Sequence, residues 1–240
     1  MSATRRRLPP LKRLLPILVL VAGAVAFFAS GAHRYVDFEM LRQHRGQLQD
    51  WVDHYTLAAL AVYFAVYVVV VAFSLPGGAL LTMVGGFLFG IWMGGCVVVF
   101  AATAGATILF LAARSAFAEV LRAKTGSAID RMEKGFRENA MSYLLALRLV
   151  PLFPFFVVNL VPAFLDVPLK TFVIATFFGI VPGTFVFASV GNGFDAVIDM
   201  GGEPNFGIIY NPEVFGPLVA LAALSFLPIL YKRYKGRRDS

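Results

Sequence analysis

Arg148 is the only charged residue within the apolar segment 140–165. Burying a guanidinium at membrane depth costs roughly 2.5–3.5 kcal/mol on insertion scales, so something must hold it. It can pin carbonyls freed by a broken helix, or it can bind an anion, such as a lipid phosphate, at the base of a wet cavity. The two roles are compatible. Pro151 and Pro154 follow closely, and each lacks the N–H that a helix needs. Backbone groups released in hydrocarbon must face protein or water, so these prolines point to a cavity. Asn159 lies further along the segment, and Asp166, directly after it, reads as an end-of-helix residue at the interface. A second interruption is Leu75-Pro76-Gly77-Gly78. Its glycines allow positive φ or close backbone approach, and a half-helix N-terminus there attracts anions. The candidate substrate-binding residues are therefore Arg148, Asn159, Gly77 and Gly78. Pro76, Pro151 and Pro154 mark the tips of the interruptions, with Pro182, Gly183 and Asp166 in support.

Other chemistries find no residues. The apolar segments contain no Ser/His pair and no paired carboxylates, and the acids stand at their rims, which argues against an enzyme. His33, His44 and His54 share one polar segment without a His-x-x-x-His or Glu-x-x-His pairing, so no metal site is predicted. Cys96 is the only cysteine, and no cofactor is implied. The net charge of +7 comes from clusters at residues 5–13, 114–137 and 232–238, each beside an apolar run. That placement orients a membrane protein and does not suit nucleic acid.

The elements that position these residues follow from charge and punctuation. Hydrophobic residues make up 59% of the 240 and charged residues 15%, and no Asp, Glu, Lys or Arg occurs from His54 through Ala113. Soluble domains carry about 25% charged residues, so this chain reads as one membrane domain. A basic N-terminus, 1–13, precedes a first transmembrane helix at 14–32. Ser30-Gly31-Ala32 loosely matches a cleavage site, but a retained helix is preferred because further membrane segments follow. Residues 33–54 read as an interfacial amphipathic helix on the outer surface. The core, 55–195, divides into a hairpin at about 57–92, a span at 93–113, a cytoplasmic connector at 114–139, a hairpin at 140–165 and a span at 169–190. An acidic outside loop, 191–213, leads to a last transmembrane helix at 214–231 and a basic tail at 232–240.

Parity sharpens this plan. Between the basic connector and the acidic loop lie two apolar segments, yet an odd number of crossings is required, so 140–165 enters and leaves by one face. In the first half, one crossing and three satisfy parity equally. If Pro76-Gly77-Gly78 is also a hairpin tip, each half holds a re-entrant hairpin followed by a span, entered from opposite sides. That is an inverted repeat of the kind that places a site at the midplane. The expected fold is an all-α polytopic membrane protein with two re-entrant helical hairpins, both termini cytoplasmic, in a bacterial-type inner (plasma) membrane.

The run Tyr143-Leu-Leu-Ala-Leu-Arg148-Leu-Val-Pro151-Leu-Phe-Pro154, followed by Asn159, resembles the signature of the DedA superfamily, the SNARE-associated Golgi protein or VTT-domain family. So do Phe73-Ser-Leu-Pro76-Gly77-Gly78, Gly85-Gly86-Phe-Leu-Phe-Gly90 and Gly179-Ile-Val-Pro182-Gly183-Thr184, the whole covering about 70–195. The resemblance implies two facing hairpins and a role in flipping or scrambling phospholipid or a polyprenyl-phosphate carrier between leaflets. Arg148 matches the family's hairpin arginine, and Pro76, Gly77, Pro151 and Pro154 match hairpin positions. Many DedA members carry an acid where this chain has Gly78, which puts proton coupling in doubt and favours the SNARE-associated branch. The implied partners are membrane lipids through a phosphate headgroup, with homo-oligomerisation left open. Two other classes stay in play. A proton- or ion-coupled transporter of a small solute would show uptake dependent on a pH gradient, and a non-transporting assembly or homeostasis protein would be inactive in vesicles.

Overall fold

In the computed structural model, residues 11–30, 38–123, 139–150, 154–193, 207 and 210–226 are described. The sequence expectations for Pro151, for the basic ends and for most of the connector and the outside loop fall outside them. Among the described residues the elements are α1 (Leu11–Ala29), α2 (Phe38–His54), α3 (Thr56–Ala72), α4 (Gly78–Ala123), α5 (Ala140–Leu149), α6 (Phe155–Phe164), α7 (Leu169–Asn192) and α8 (Pro212–Leu224), and there is no strand. The protein is an all-α polytopic membrane protein. Gly78–Ala116 and Leu169–Asn192 are each long and apolar enough to cross a bilayer, and the bent pair Gly46–His54 with Thr56–Ala72 is a third candidate. Their outward faces carry Trp92, Phe100, Leu111 and Phe178, all exposed. Large aromatic and aliphatic residues on that scale need a lipid covering.

Each helix ends where its residues require it. α2 meets α3 at a bend of 116° beside Tyr55. α3 stops at Phe73, and Ser74 (φ 53°) and Gly77 (φ 106°) carry the chain through a left-handed turn around Pro76. The chain then runs back along α3. The Tyr63 hydroxyl donates to the Leu81 carbonyl at 2.7 Å, and Tyr67 pairs with the Thr82 hydroxyl at 2.9 Å, while Thr82 donates to the Gly78 carbonyl at 2.7 Å. Tyr63 and Tyr67 lie one turn apart, so one face of α3 ties down the start of α4.

α4 is two helices. Gly90 sits at φ 75°, ψ 173°, outside any helical region. A side-chain carbon on Gly94 would collide with the carbonyl of Gly85, nine residues earlier. In a straight helix those positions stand about 13 Å apart, so the chain folds back sharply at Gly90. The second arm then runs antiparallel to α7. Phe110 stacks on Phe172 at 4.3 Å, Phe100 meets Phe177 at 5.1 Å and Trp92 meets Phe185 at 5.5 Å. This arm continues to Ala123, ten residues past Ala113, because Arg114 and the polar residues after it favour helix once the chain leaves hydrocarbon.

The second half repeats the plan with shorter pieces. α5 ends at Val150, whose backbone is extended (φ −102°, ψ 108°). A residue before proline is pushed out of the helical region, and Pro151 follows it. α6 begins after Pro154 and ends at Leu165, after which Asp166 (φ 49°) turns the chain into α7. α8 packs on α5, with Tyr143 edge-on to Phe226 at 5.5 Å. Pro182 lies inside α7 without ending it. Each half therefore reads helix, break, short arm, turn, long helix.

Candidate functional site

Arg148 stands in the last turn of α5, where the helix C-terminus favours a cation. Its Nη2 donates to the Asn159 Oδ1 at 2.6 Å and to the Thr176 Oγ1 at 3.0 Å. The guanidinium lies 5.5 Å from the centroid of the Phe172 ring, a cation–π distance. Asn159 and Phe172 are fully buried and Thr176 nearly so. Three elements thus converge on one charge: α5 supplies it, α6 contributes the amide and α7 contributes the hydroxyl and the ring. Gly179 makes this possible, since a side chain there would strike the Arg148 stem. Thr176 is seven residues into α7, about 10 Å along its axis from Leu169. The amide oxygen and the hydroxyl orient the guanidinium and carry no net charge of their own.

The family model for the VTT domain matches residues 75–193. The chain belongs to the VTT-domain family, the DedA/SNARE-associated Golgi proteins. It is 31% identical over 194 residues to Transmembrane protein 41 homolog of Dictyostelium discoideum, covering 78% of this chain and 55% of that protein. Transmembrane protein 41B is 28% identical in Gallus gallus and 27% identical in Homo sapiens, each over 190 residues. Those matches cover 78% of this chain and 68% and 63% of the respective relatives, so the chain spans little more than half to two thirds of their length. No solved structure matches.

Within the VTT domain, the sequence-predicted residues divide between two places. Arg148 and Asn159 come together in the second half, as described. Gly77 and Gly78 sit at the first break, where the Gly78 carbonyl accepts from Tyr67 and Thr82. Pro76 shapes that break and Pro154 opens α6. Pro182 and Gly183 lie mid-way along α7, one turn beyond Gly179. Asp166 lies apart from the guanidinium and is joined to Arg114 by an ion pair of 2.6 Å. That pair fastens the second arm of α4 to the turn before α7 at the edge of the apolar region. Both partners are about a third exposed, so the pair is worth at most about 1 kcal/mol. Arg114→Gln should lower the thermal midpoint by no more than a few degrees, and a difference that persists undiminished in high salt would show a stronger role than this.

Sequence reasoning missed Thr176 and Phe172 as partners of Arg148, and Tyr63, Tyr67 and Thr82 as the tie across the first break. One signal was available for the tyrosines: polar tips one turn apart in a charge-free stretch must find acceptors inside the protein. For Thr176 the spacing to Gly179 places a hydroxyl and a gap on one face of α7, which is meaningful only once α5 is known to pack there.

Proposed function

We propose that this protein moves phospholipid, or a polyprenyl-phosphate carrier lipid, between leaflets, with Arg148 as the group that receives the phosphate. In this reading the pairs α3–α4 and α5–α6 are re-entrant hairpins entered from opposite faces of an inner (plasma) membrane, with both termini cytoplasmic. The observation that carries it is the guanidinium presented by Asn159, Thr176 and Phe172 within the membrane-spanning region. A guanidinium matches a phosphate with two parallel hydrogen bonds, and its worth rises where water is scarce. The acyl tails stay in the bilayer while the headgroup passes the two breaks, which supply polar backbone where intact helices would supply none. Gly77 and Gly78 offer a second polar station on that path.

The test is leaflet exchange of fluorescent phosphatidylglycerol and of a polyprenyl phosphate in vesicles holding the purified protein. Arg148→Ala should slow exchange about tenfold or more, since a hydrogen bond to a charged group contributes roughly 1.5–3 kcal/mol. Arg148→Lys should retain part of it, because lysine keeps the charge and loses the fork. Exchange at the wild-type rate in a well-folded Arg148→Ala protein would refute the assignment.

A further inference from the structure

A cavity of about 620 Å³ opens between α1, the first break, α4 and α6. One wall is a continuous stripe of α1 from Ile17 to Phe28, repeating at helical spacing. The other is built from Phe73 beside the first break, Leu109 on α4, and Phe156 and Leu160 on α6. Among the lining residues the only hydroxyl is that of Ser74, which is buried without a hydrogen-bond partner among the described residues. The cavity is an open groove with an almost wholly apolar lining, a surface that calls for an apolar covering. In a bilayer the molecules at hand to fill it are lipid chains.

We infer that this cavity binds one acyl chain of the same anionic lipid whose phosphate Arg148 receives. Two observations commit it to that occupant. The first is length: seven residues of α1 between Ile17 and Ala29 line the cavity, over a rise of about 18 Å. That is little more than half of a 30 Å core, the depth of one leaflet's chain. The second is charge complementarity along α6. Leu160 lines the cavity and directly follows Asn159, whose amide holds the Arg148 guanidinium. A molecule with an anionic head and an apolar tail therefore finds matching surfaces on neighbouring faces of α6, a cationic one at Asn159 and an uncharged one at Phe156 and Leu160. Through its headgroup the inference rests on the lipid-moving reading, while the presence of a chain in the cavity does not.

The experiment uses the full chain in phosphatidylcholine vesicles containing phosphatidylglycerol with a photoreactive diazirine on its acyl chain, followed by peptide mapping after irradiation. Label is expected on Val21, Ala24 and Phe28 and on Phe156 and Leu160, at several times its level on Val19, which lies on another face of α1, and on the exposed Phe178. Ala24→Trp, which fills the cavity, should cut the cavity label at least about fivefold and leave the label on Phe178 unchanged. Val21→Trp repeats the test should the first variant fail to elute as the wild type does. Equal labelling of Val19 and the cavity stripe in the wild type would overturn the inference without any variant. Cavity labelling together with wild-type exchange by Arg148→Ala would leave the chain site standing and remove the transport reading. The reverse pattern would remove the chain site alone.

Discussion

Gly86→Val should leave little folded protein to purify. A side chain at Gly86 would run into the backbone carbonyl of Ala188, and one at Gly191 would run into that of Met83. These are main-chain atoms of a helix, so no rotamer change relieves the clash, unlike at Gly85, where the obstacle is the Tyr63 side chain. The first arm of α4 and the end of α7 touch backbone to backbone, the usual way membrane helices associate when lipid removes the hydrophobic drive between them. Overpacking of a core commonly costs 1–3 kcal/mol, and a clash against a fixed backbone exceeds that, so a loss of more than about 3 kcal/mol is expected. The measurement is the yield of monodisperse protein in detergent and its thermal midpoint. Gly78→Ala is the internal control, because the space beside Gly78 is open and its effect should lie within about 0.5 kcal/mol. Normal yield and an unshifted midpoint for Gly86→Val would mean that the two helices do not meet as described.

The same glycines show what could be read before any coordinates existed. The doublets Gly85-Gly86 and Gly94-Gly95 are visible as punctuation, and a short segment ending near Gly90 with a longer one after it follows from them. Their individual work is not visible. Gly90 alone carries the reversal, through a backbone conformation closed to side chains, whereas Gly86, Gly94 and Gly95 remain helical and serve close approach. Composition cannot tell a glycine needed for its φ from one needed for its size. Proline was more legible where it fell in pairs. α5 ends at Val150, the residue before Pro151 in sequence, and Pro154 stands at the start of α6, but Pro182 is carried within α7, since one lost hydrogen bond is tolerated when neighbouring helices surround the gap.

For the site, a lone arginine in an apolar segment was enough to name Arg148, and Asn159 stood out as a polar residue eleven positions on. Their contact joins the last turn of α5 to the middle of α6. Thr176 and Phe172 belong to a different helix, and their approach is set by the packing of α5 on α7 at Gly179, a tertiary fact. Asp166 turns the chain from α6 into α7, and its partner Arg114, 52 residues away, lies beyond the reach of local pattern.

Asn159→Leu should destabilise the protein, and adding Arg148→Leu to it should restore most of what was lost. The single change removes the 2.6 Å acceptor from a guanidinium that remains in place, at an expected cost of about 2 kcal/mol for a hydrogen bond to a charged group. With both polar groups replaced by leucine, α5 and α6 can pack as apolar surfaces. Exchanging a buried polar pair for hydrophobic residues is often neutral or stabilising. Thermal midpoints of the two singles and the double, in one detergent, give the coupling directly. If Arg148 were retained only to pin the break, the double variant would be both stable and active in lipid exchange. Under the phosphate-binding assignment it is stable and inactive, because packing can replace the structural work of the arginine but nothing apolar can replace its charge.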